Sequence, residues 1–361
     1  MAYYHSGYIR TPKKKKSKFK KFLLLALLLL LIIGSIAGFY LYKILTGVNT
    51  WTVDGKPVSV YVPTGTDFNG LKTILYKNGL IIHRKNFEWL AEKKQLKEHV
   101  KPGRYIVKNG MSNMELVNML RAGEQVPVKV IFNNVRDIYQ LAGKVGEQIE
   151  ADSVEIIKLL TDSVYLAKMG IKPVYAGTIF IPNTYEFWWN TDADGFIKRM
   201  YKEYQKFWTP ERINKAEKLG LSRGEIVTLA SIVEKETNKN DEKPKIAGVY
   251  INRLKKGWRL QADPTLVFAI GDYTIKRVLN KHKLIDSPYN TYKNLGLPPG
   301  PICIPSIASI DAVLNYDKTN YLFFCAKDDF SGYHVFAKTH RQHQKNAKKY
   351  QKALNERKII K

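Results

Sequence analysis

Between Phe22 and Tyr42 the chain reads FLLLALLLLLIIGSIAGFYLY, 21 residues without a charge. No other feature narrows the possible fold as far. A helix rising about 1.5 Å per residue covers about 30 Å with such a run, the thickness of a bilayer's hydrocarbon core. The segment is then either an anchor or a cleaved secretory signal, and Ser35-Ile36-Ala37 has the small residues of a cleavage site. Signal cores usually run about 7–15 apolar residues, and this one is longer, so residues 22–42 read as a transmembrane helix. Residues 1–21 carry eight Lys/Arg, Arg10 and the run KKKKSKFKK from Lys13, and no acid. A flank of that kind stays cytoplasmic and meets anionic lipid headgroups, which puts residues 47–361 outside.

The anchor changes the meaning of the charge. The 361 residues sum to +27, yet much of that sits at the ends, because residues 338–361 hold nine more Lys/Arg against Glu356 alone. The span between is mildly basic, and it holds none of the usual nucleic-acid-binding signatures. Cys303 and Cys325 are the only cysteines, with 21 residues between them, and could pair in an oxidising compartment. No C-x-x-C or metal-like His/Cys spacing occurs, so no metal and no cofactor are expected.

Residues 43–56 read as a juxtamembrane linker. VSVYV alternates like a strand, DFNGLKTILYKNGL and FEWLAEKKQL have helical spacing, and GRYIVKNG is a second strand between glycines. SNMELVNMLRAG follows with Ser112 and Glu115 at capping-box spacing and Gly123 as a stop. Strand-helix-helix-strand-helix makes residues 57–126 a small α+β module. Residues 127–361 read as a larger mixed α+β domain. It opens with the strand VPVKVIF, continues through an aromatic-rich loop or short strand at Thr178–Thr191, and has a helical run over about 194–219. It closes with a hairpin turning at Asp328–Gly332 and a basic helix from about His340.

Within this domain TLASIVEKETN, Thr228–Asn238, sets two glutamates around a lysine. Most such triplets are solvated helix faces. Ser222 and Glu225 form a capping box that starts the helix and occupies Glu225. At 100° per residue Ile226, Leu229, Ala230 and Val233 make one apolar stripe; Glu236 lies about 60° from its centre, Glu234 about 100° away on the other side. Glu236 is therefore expected to be partly desolvated and Glu234 to face water. Desolvation raises a carboxyl's pKa, as a general acid working near neutral pH requires.

LASIVEKET, IAGVYINRLKKGWRLQADPTLVFAIG and SPYNTYKNLGLPPGPI closely resemble the MltG (YceG-like) family of endolytic murein transglycosylases, over almost the whole chain. The resemblance implies a single N-terminal anchor in the cytoplasmic membrane, a LysM-like module that binds glycan or spaces the active site from the membrane, and a catalytic domain from about residue 128. It implies cleavage of the β-1,4 bond between N-acetylmuramic acid and N-acetylglucosamine within peptidoglycan strands, leaving 1,6-anhydro ends. It also implies work on nascent wall, near peptidoglycan synthases. The essential acid of the family falls on Glu236. One carboxyl suffices for that chemistry, whereas a hydrolase needs a second. Asp263 is the candidate for a second carboxyl and is otherwise a turn-forming or sugar-orienting residue.

Gln261, Asn290 and Tyr292 are candidates for sugar contacts, each with an alternative in loop hydrogen bonding. Asn252 and Arg253 are candidates for orienting a carboxylate from behind. His334 and His343 read as hydrogen-bonding groups. The family often has Phe-Pro-Asp-Thr-Tyr where this chain has IPNTY, so Asn183 cannot serve there as an ion. Tyr185, Phe187, Trp188 and Trp189 beside it would stack on sugars or pack in a core. A hydrolytic muramidase using Asp263 and a non-catalytic wall-binding scaffold are the alternatives to the transglycosylase.

Overall fold

The computed structural model describes residues 1–2, 7, 18–275 and 277–357. Most of the lysine-rich head, residues 8–17, lies outside the described residues. The chain divides into two compact units, Met1–Val126 and Pro127–Lys361.

The first unit begins with α1, Lys18–Thr46, whose apolar side chains are exposed along its length. This helix is long and apolar enough to cross a membrane. Strand β1 (Val58–Val62) follows, then α2 (Phe68–Lys77), α3 (Arg84–Lys93), β2 (Gly103–Val107) and α4 (Asn113–Ala122). The strands pair antiparallel with Val60 opposite Tyr105. Alternation sends Val60, Val62, Tyr105 and Val107 inward against Leu71, Leu75, Phe87 and Leu116, a closed core for so short a module. Ser112 and Glu115 form the expected capping box, and Gly123 ends α4 at φ 76°, a conformation glycine adopts without cost.

The stretch read as a linker is part of this unit. Asn49, Thr50 and Thr52 are buried. Asn49 N donates to Met111 O at 2.9 Å, Trp51 N to Leu80 O at 3.0 Å, and Thr52 N to Asn109 Oδ1 at 3.1 Å. These residues exchange backbone hydrogen bonds with the edge of the module.

The second unit contains β3 (Val128–Phe132), α5 (Ile138–Gly146), α6 (Ser153–Thr161), α7 (Ser163–Ala167), β4 (Asn183–Phe187), α8 (Ala193–Phe207), α9 (Pro210–Leu219), α10 (Arg223–Glu236), α11 (Lys243–Lys255), α12 (Asp263–Ile270), α13 (Ile307–Leu314), β5 (Phe323–Ala326), β6 (His334–Ala337) and α14 (His340–Glu356). Each strand has one partner: β3 with β4 and β5 with β6, both antiparallel. The helical run over 194–219 is two helices, broken where Thr209 caps α9 and Pro210 opens it. The architecture is α+β, as the order of elements in the sequence implies. Cys303 and Cys325 are free thiols. Cys303 is buried with its Sγ 3.5 Å from Ser231 O, and Cys325 lies in β5, so no disulfide joins them.

At the centre is α10. Every residue from Ile226 to Val233 is buried, so the helix has no wet face over more than two turns. The single apolar stripe read from the sequence does not describe it. Thr228 and Ser231 belong to the interior because their hydroxyls bond the carbonyls of Gly224 and Thr228. Against α10 pack α13 and α11. Gly248 lets α11 come close to the following loop; a Cβ there would stand 2.5 Å from Asp317 O. Core truncations such as Leu229→Ala cost about 2–5 kcal/mol at sites of this kind.

Candidate active site

The two glutamates at the end of α10 meet different surroundings, and the difference is one of partners. Glu234 is only partly open to water, its side chain 22% exposed. Its Oε2 accepts from Lys243 Nζ at 3.0 Å, Ser306 Oγ at 2.6 Å and the Ser309 hydroxyl, tying α10 to α11 and α13. Burial alone would raise its carboxyl, but these donors and the lysine charge hold it below the usual range. Glu234 is a structural anion, and Lys243, itself buried, needs it.

Glu236 is the last helical residue of α10, where Thr237 turns to extended backbone. Its carboxyl lies at the base of a groove, with part of the residue open to that groove. The Tyr250 hydroxyl, on the facing side of α11 and wholly buried, donates to Glu236 Oε1 at 2.5 Å. Oε2 accepts no hydrogen bond among the described residues. Burial pushes the carboxyl up to about 7; the Tyr250 hydrogen bond opposes that, the Asp263 charge adds to it, and the Arg253 charge opposes it. Near neutral pH the group is poised between acid and base.

Asp263 opens α12, with Pro264 behind it, where the helix dipole favours an anion. Its Oδ1 accepts the Tyr292 hydroxyl at 2.5 Å, and no backbone amide is involved. Gln261, two residues earlier, has φ 51°, a left-handed conformation that costs a non-glycine residue energy. Its amide donates to Thr291 O at 3.1 Å, while its side chain is exposed in the groove.

Asn290 is fully buried. Its Nδ2 donates to the carbonyls of Lys283 and Ile285, and its Oδ1 accepts from Tyr292 N at 2.9 Å. It cannot reach a sugar; it shapes the loop that presents Tyr292. Asn252 pairs with no carboxylate and instead donates to Thr319 O at 2.7 Å and Tyr321 O at 3.0 Å. Arg253 donates to the carbonyls of Leu260 and Leu322 and lies over Phe323, 5.6 Å from the ring centre. It forms no ion pair with Glu236 and acts on it through space. His334 hydrogen-bonds buried Glu242 at 2.8 Å. Asn183 is exposed in β4 and takes Thr184 N at 2.8 Å. Tyr185 and Phe187 pack on Phe132 and Phe196 in the core.

The groove has two lobes that meet at Glu236 and Asp263. The larger, about 810 Å³, runs along Val267, Phe268, Val278 and Ile302 and is walled by Tyr350 and Leu354 of α14. The smaller, about 300 Å³, is bounded by Tyr250, Arg253, Gln261, Tyr292, Phe323 and His343. A chain-like substrate can lie across the carboxyl with part in each lobe. Sequence reasoning missed Tyr250, a tyrosine among apolar helix residues fourteen positions after Glu236. It also missed Phe323, Phe324 and the wall made by α14, because no local pattern points to a neighbour brought in by tertiary folding.

The YceG-like family model matches residues 60–349 of the chain. The chain is 32% identical over 344 residues to the endolytic murein transglycosylase of Bacillus subtilis (strain 168), covering 89% of this chain and 92% of the relative. It is 29% identical over 326 residues to the endolytic murein transglycosylase of Streptococcus pneumoniae serotype 2 (strain D39), covering 81% of this chain and 58% of that longer protein. A crystal structure of a yceG-like protein from Listeria monocytogenes superposes with a TM-score of 0.55 at 28% identity, covering 80% of this chain and 98% of that one. With a family match that spans most of its length and includes Glu236 and Asp263, the chain belongs to the YceG-like family.

Proposed function

We propose that the chain is a membrane-anchored endolytic peptidoglycan transglycosylase, a lyase that cuts the bond between N-acetylmuramic acid and N-acetylglucosamine inside glycan strands. The observation that carries this reading is the Glu236 carboxyl, raised to about 7 at the meeting point of two lobes, with one oxygen bonded to Tyr250 and the other without a partner among the described residues. The activity named for the Bacillus and Streptococcus relatives supports it.

Tyr250 occupies Oε1, so the proton of the neutral acid stands on Oε2, facing the groove. From there it passes to the glycosidic oxygen as the bond to C1 breaks, and the N-acetylglucosamine piece leaves with a free 4-hydroxyl. The carboxylate then takes the proton of the muramyl 6-hydroxyl while O6 bonds to C1. The result is a 1,6-anhydro end, a re-protonated Glu236 and no water consumed. A carboxyl near 7 serves both steps, since it gives and takes a proton with little bias. The Arg253 charge and the Tyr250 hydrogen bond stabilise the intermediate carboxylate. Tyr292 and Asp263 form a hydrogen-bonded pair on the groove wall, suited to orienting a sugar, with Gln261 beside them.

Residues 22–42 hold the protein in the cytoplasmic membrane with the N-terminus inside. Residues 57–126 serve as a LysM-like module and residues 127–361 as the catalytic domain, acting on nascent strands beside peptidoglycan synthases and ending their growth. The experiment is digestion of purified peptidoglycan by the detergent-solubilised chain, with mass analysis of the products. Anhydro ends support the proposal. Reducing ends carrying solvent oxygen would replace it with a hydrolytic muramidase using Asp263. A Glu236→Gln variant that keeps the protein's cellular role would replace it with a scaffold.

A further inference from the structure

The junction between α1 and the first module carries a surface that the catalytic reading does not use. Three residues just after α1 are largely exposed and apolar: Val48 (55%), Trp51 (53%) and Val53 (64%). Their neighbours Asn49, Thr50 and Thr52 are buried in the module. Asn49 ties a second stretch to the first, because its carbonyl accepts from Ile82 N at 3.1 Å and its Oδ1 from His83 N at 2.6 Å. That second stretch exposes Ile82 (47%) and then His83, Arg84 and Lys85. Lys43, on the last turns of α1, and His83 line a cavity of about 280 Å³ at the same junction.

Lengths place this surface. The uncharged run ends at Tyr42, where about 30 Å of helix has crossed the hydrocarbon core. Residues 43–46 add about 6 Å, roughly one headgroup layer. Trp51 is five residues beyond Thr46, at most about 18 Å along an extended chain. The stretch between does not extend freely, because Gly47 N donates to Lys43 O at 2.9 Å and residues 49–52 are hydrogen-bonded to Leu80, Asn109 and Met111. Tryptophan and small aliphatics beside Lys, Arg and His form the composition that settles in the headgroup region, apolar groups among the upper acyl carbons and cations on the phosphates.

We propose that Val48, Trp51, Val53 and Ile82, flanked by Lys43, Arg84 and Lys85, seat the first module on the outer leaflet, so that it rests on the bilayer and does not swing on a tether. The inference rests on the reading of α1 as a membrane span. The test uses the full chain reconstituted into phosphatidylcholine/phosphatidylglycerol vesicles, with lipid brominated near the headgroup end of its acyl chains as the quencher. Tryptophan emission is compared between the native chain, which has six tryptophans, and Trp51→Phe, and vesicle flotation after carbonate extraction is scored separately. Seating predicts that brominated lipid quenches a component of the native emission that is missing in Trp51→Phe. It also predicts that Val48→Asp/Val53→Asp, with the other tryptophans unchanged, loses most of that quenching while still floating. Equal fractional quenching in the native chain and Trp51→Phe, with both floating, overturns the seating and leaves the anchor standing. A chain that does not float after carbonate overturns both.

Discussion

If the Glu236 carboxyl is held near 7 by burial, replacing it with an amide must make the protein more stable at alkaline pH while slowing cleavage by orders of magnitude. In the folded chain the group titrates at about 7 against an ordinary 4.5. A folded-state pKa raised in this way gives stability that is whole below 4.5 and is lost as pH climbs through 7. The gap of roughly two and a half pH units corresponds to about 3 kcal/mol, reached above pH 7, since each unit is about 1.4 kcal/mol. Because part of the residue remains open to the groove, that figure is a ceiling. Glu236→Gln carries no ionisation there and keeps an acceptor for Tyr250. Relative to the native chain it should gain about 1 kcal/mol at about pH 5 and up to about 3 kcal/mol at about pH 8. For a unit of this size that is a melting temperature higher by up to about 6–12 °C at the higher pH. The assay is thermal unfolding of both proteins across pH, with cleavage measured in parallel. Native cleavage should fall as pH rises past 7, and the variant should lose about two to four powers of ten in rate. A melting difference that does not change with pH, or a variant less stable at alkaline pH, would refute the reasoning.

Tyr250→Phe removes the hydrogen bond that favours the carboxylate, so the alkaline limb of the cleavage profile should move up by about one pH unit or more; charged hydrogen bonds are worth about 1.5–3 kcal/mol. Glu234→Gln should lower stability by about 3 kcal/mol by leaving Lys243 buried and unpaired, with activity per folded molecule largely retained; denaturant melts and active-site-normalised rates separate the two. Asp263→Asn should cost less than about tenfold in cleavage and lower the Glu236 pKa, seen as an earlier alkaline limb; a loss near that of Glu236→Gln would instead mark a second catalytic carboxyl.

Much of the local structure was legible from residue patterns. Capping boxes at Ser112 and Ser222, the alternating strands of the first module, and the hairpin between Phe323 and Ala337 follow from short-range hydrogen bonding and side-chain period. The structure buries Glu236 as helical phase suggests, whereas Glu234 meets donors that phase does not foresee. Phase distinguishes faces only when one face is wet, and α10 is packed all round from Ile226 to Val233. Glu234, just beyond, is drawn against the neighbouring helices, where Lys243, Ser306 and Ser309 meet it from sequence distances of 9, 72 and 75 residues. Asn290, a candidate for a sugar contact or for loop hydrogen bonds, takes the second role, and Asn252 spends its amide on backbone carbonyls and not on a carboxylate, because a polar side chain in a loop or on a helix carries no mark of what covers it.

The sequence alone determined the long uncharged helix, the α+β order of elements and the helix start that puts two carboxyls at the end of α10, because each depends on neighbours within a few turns of chain. Which carboxyl stays neutral was decided by the tertiary fold. Only the packing of α11 and α13 against α10 gives one glutamate a lysine and two hydroxyls and leaves the other with a buried phenol and an open groove. Solvation and charge at a site are set by whatever surrounds it in space, and those groups come from segments far apart along the chain.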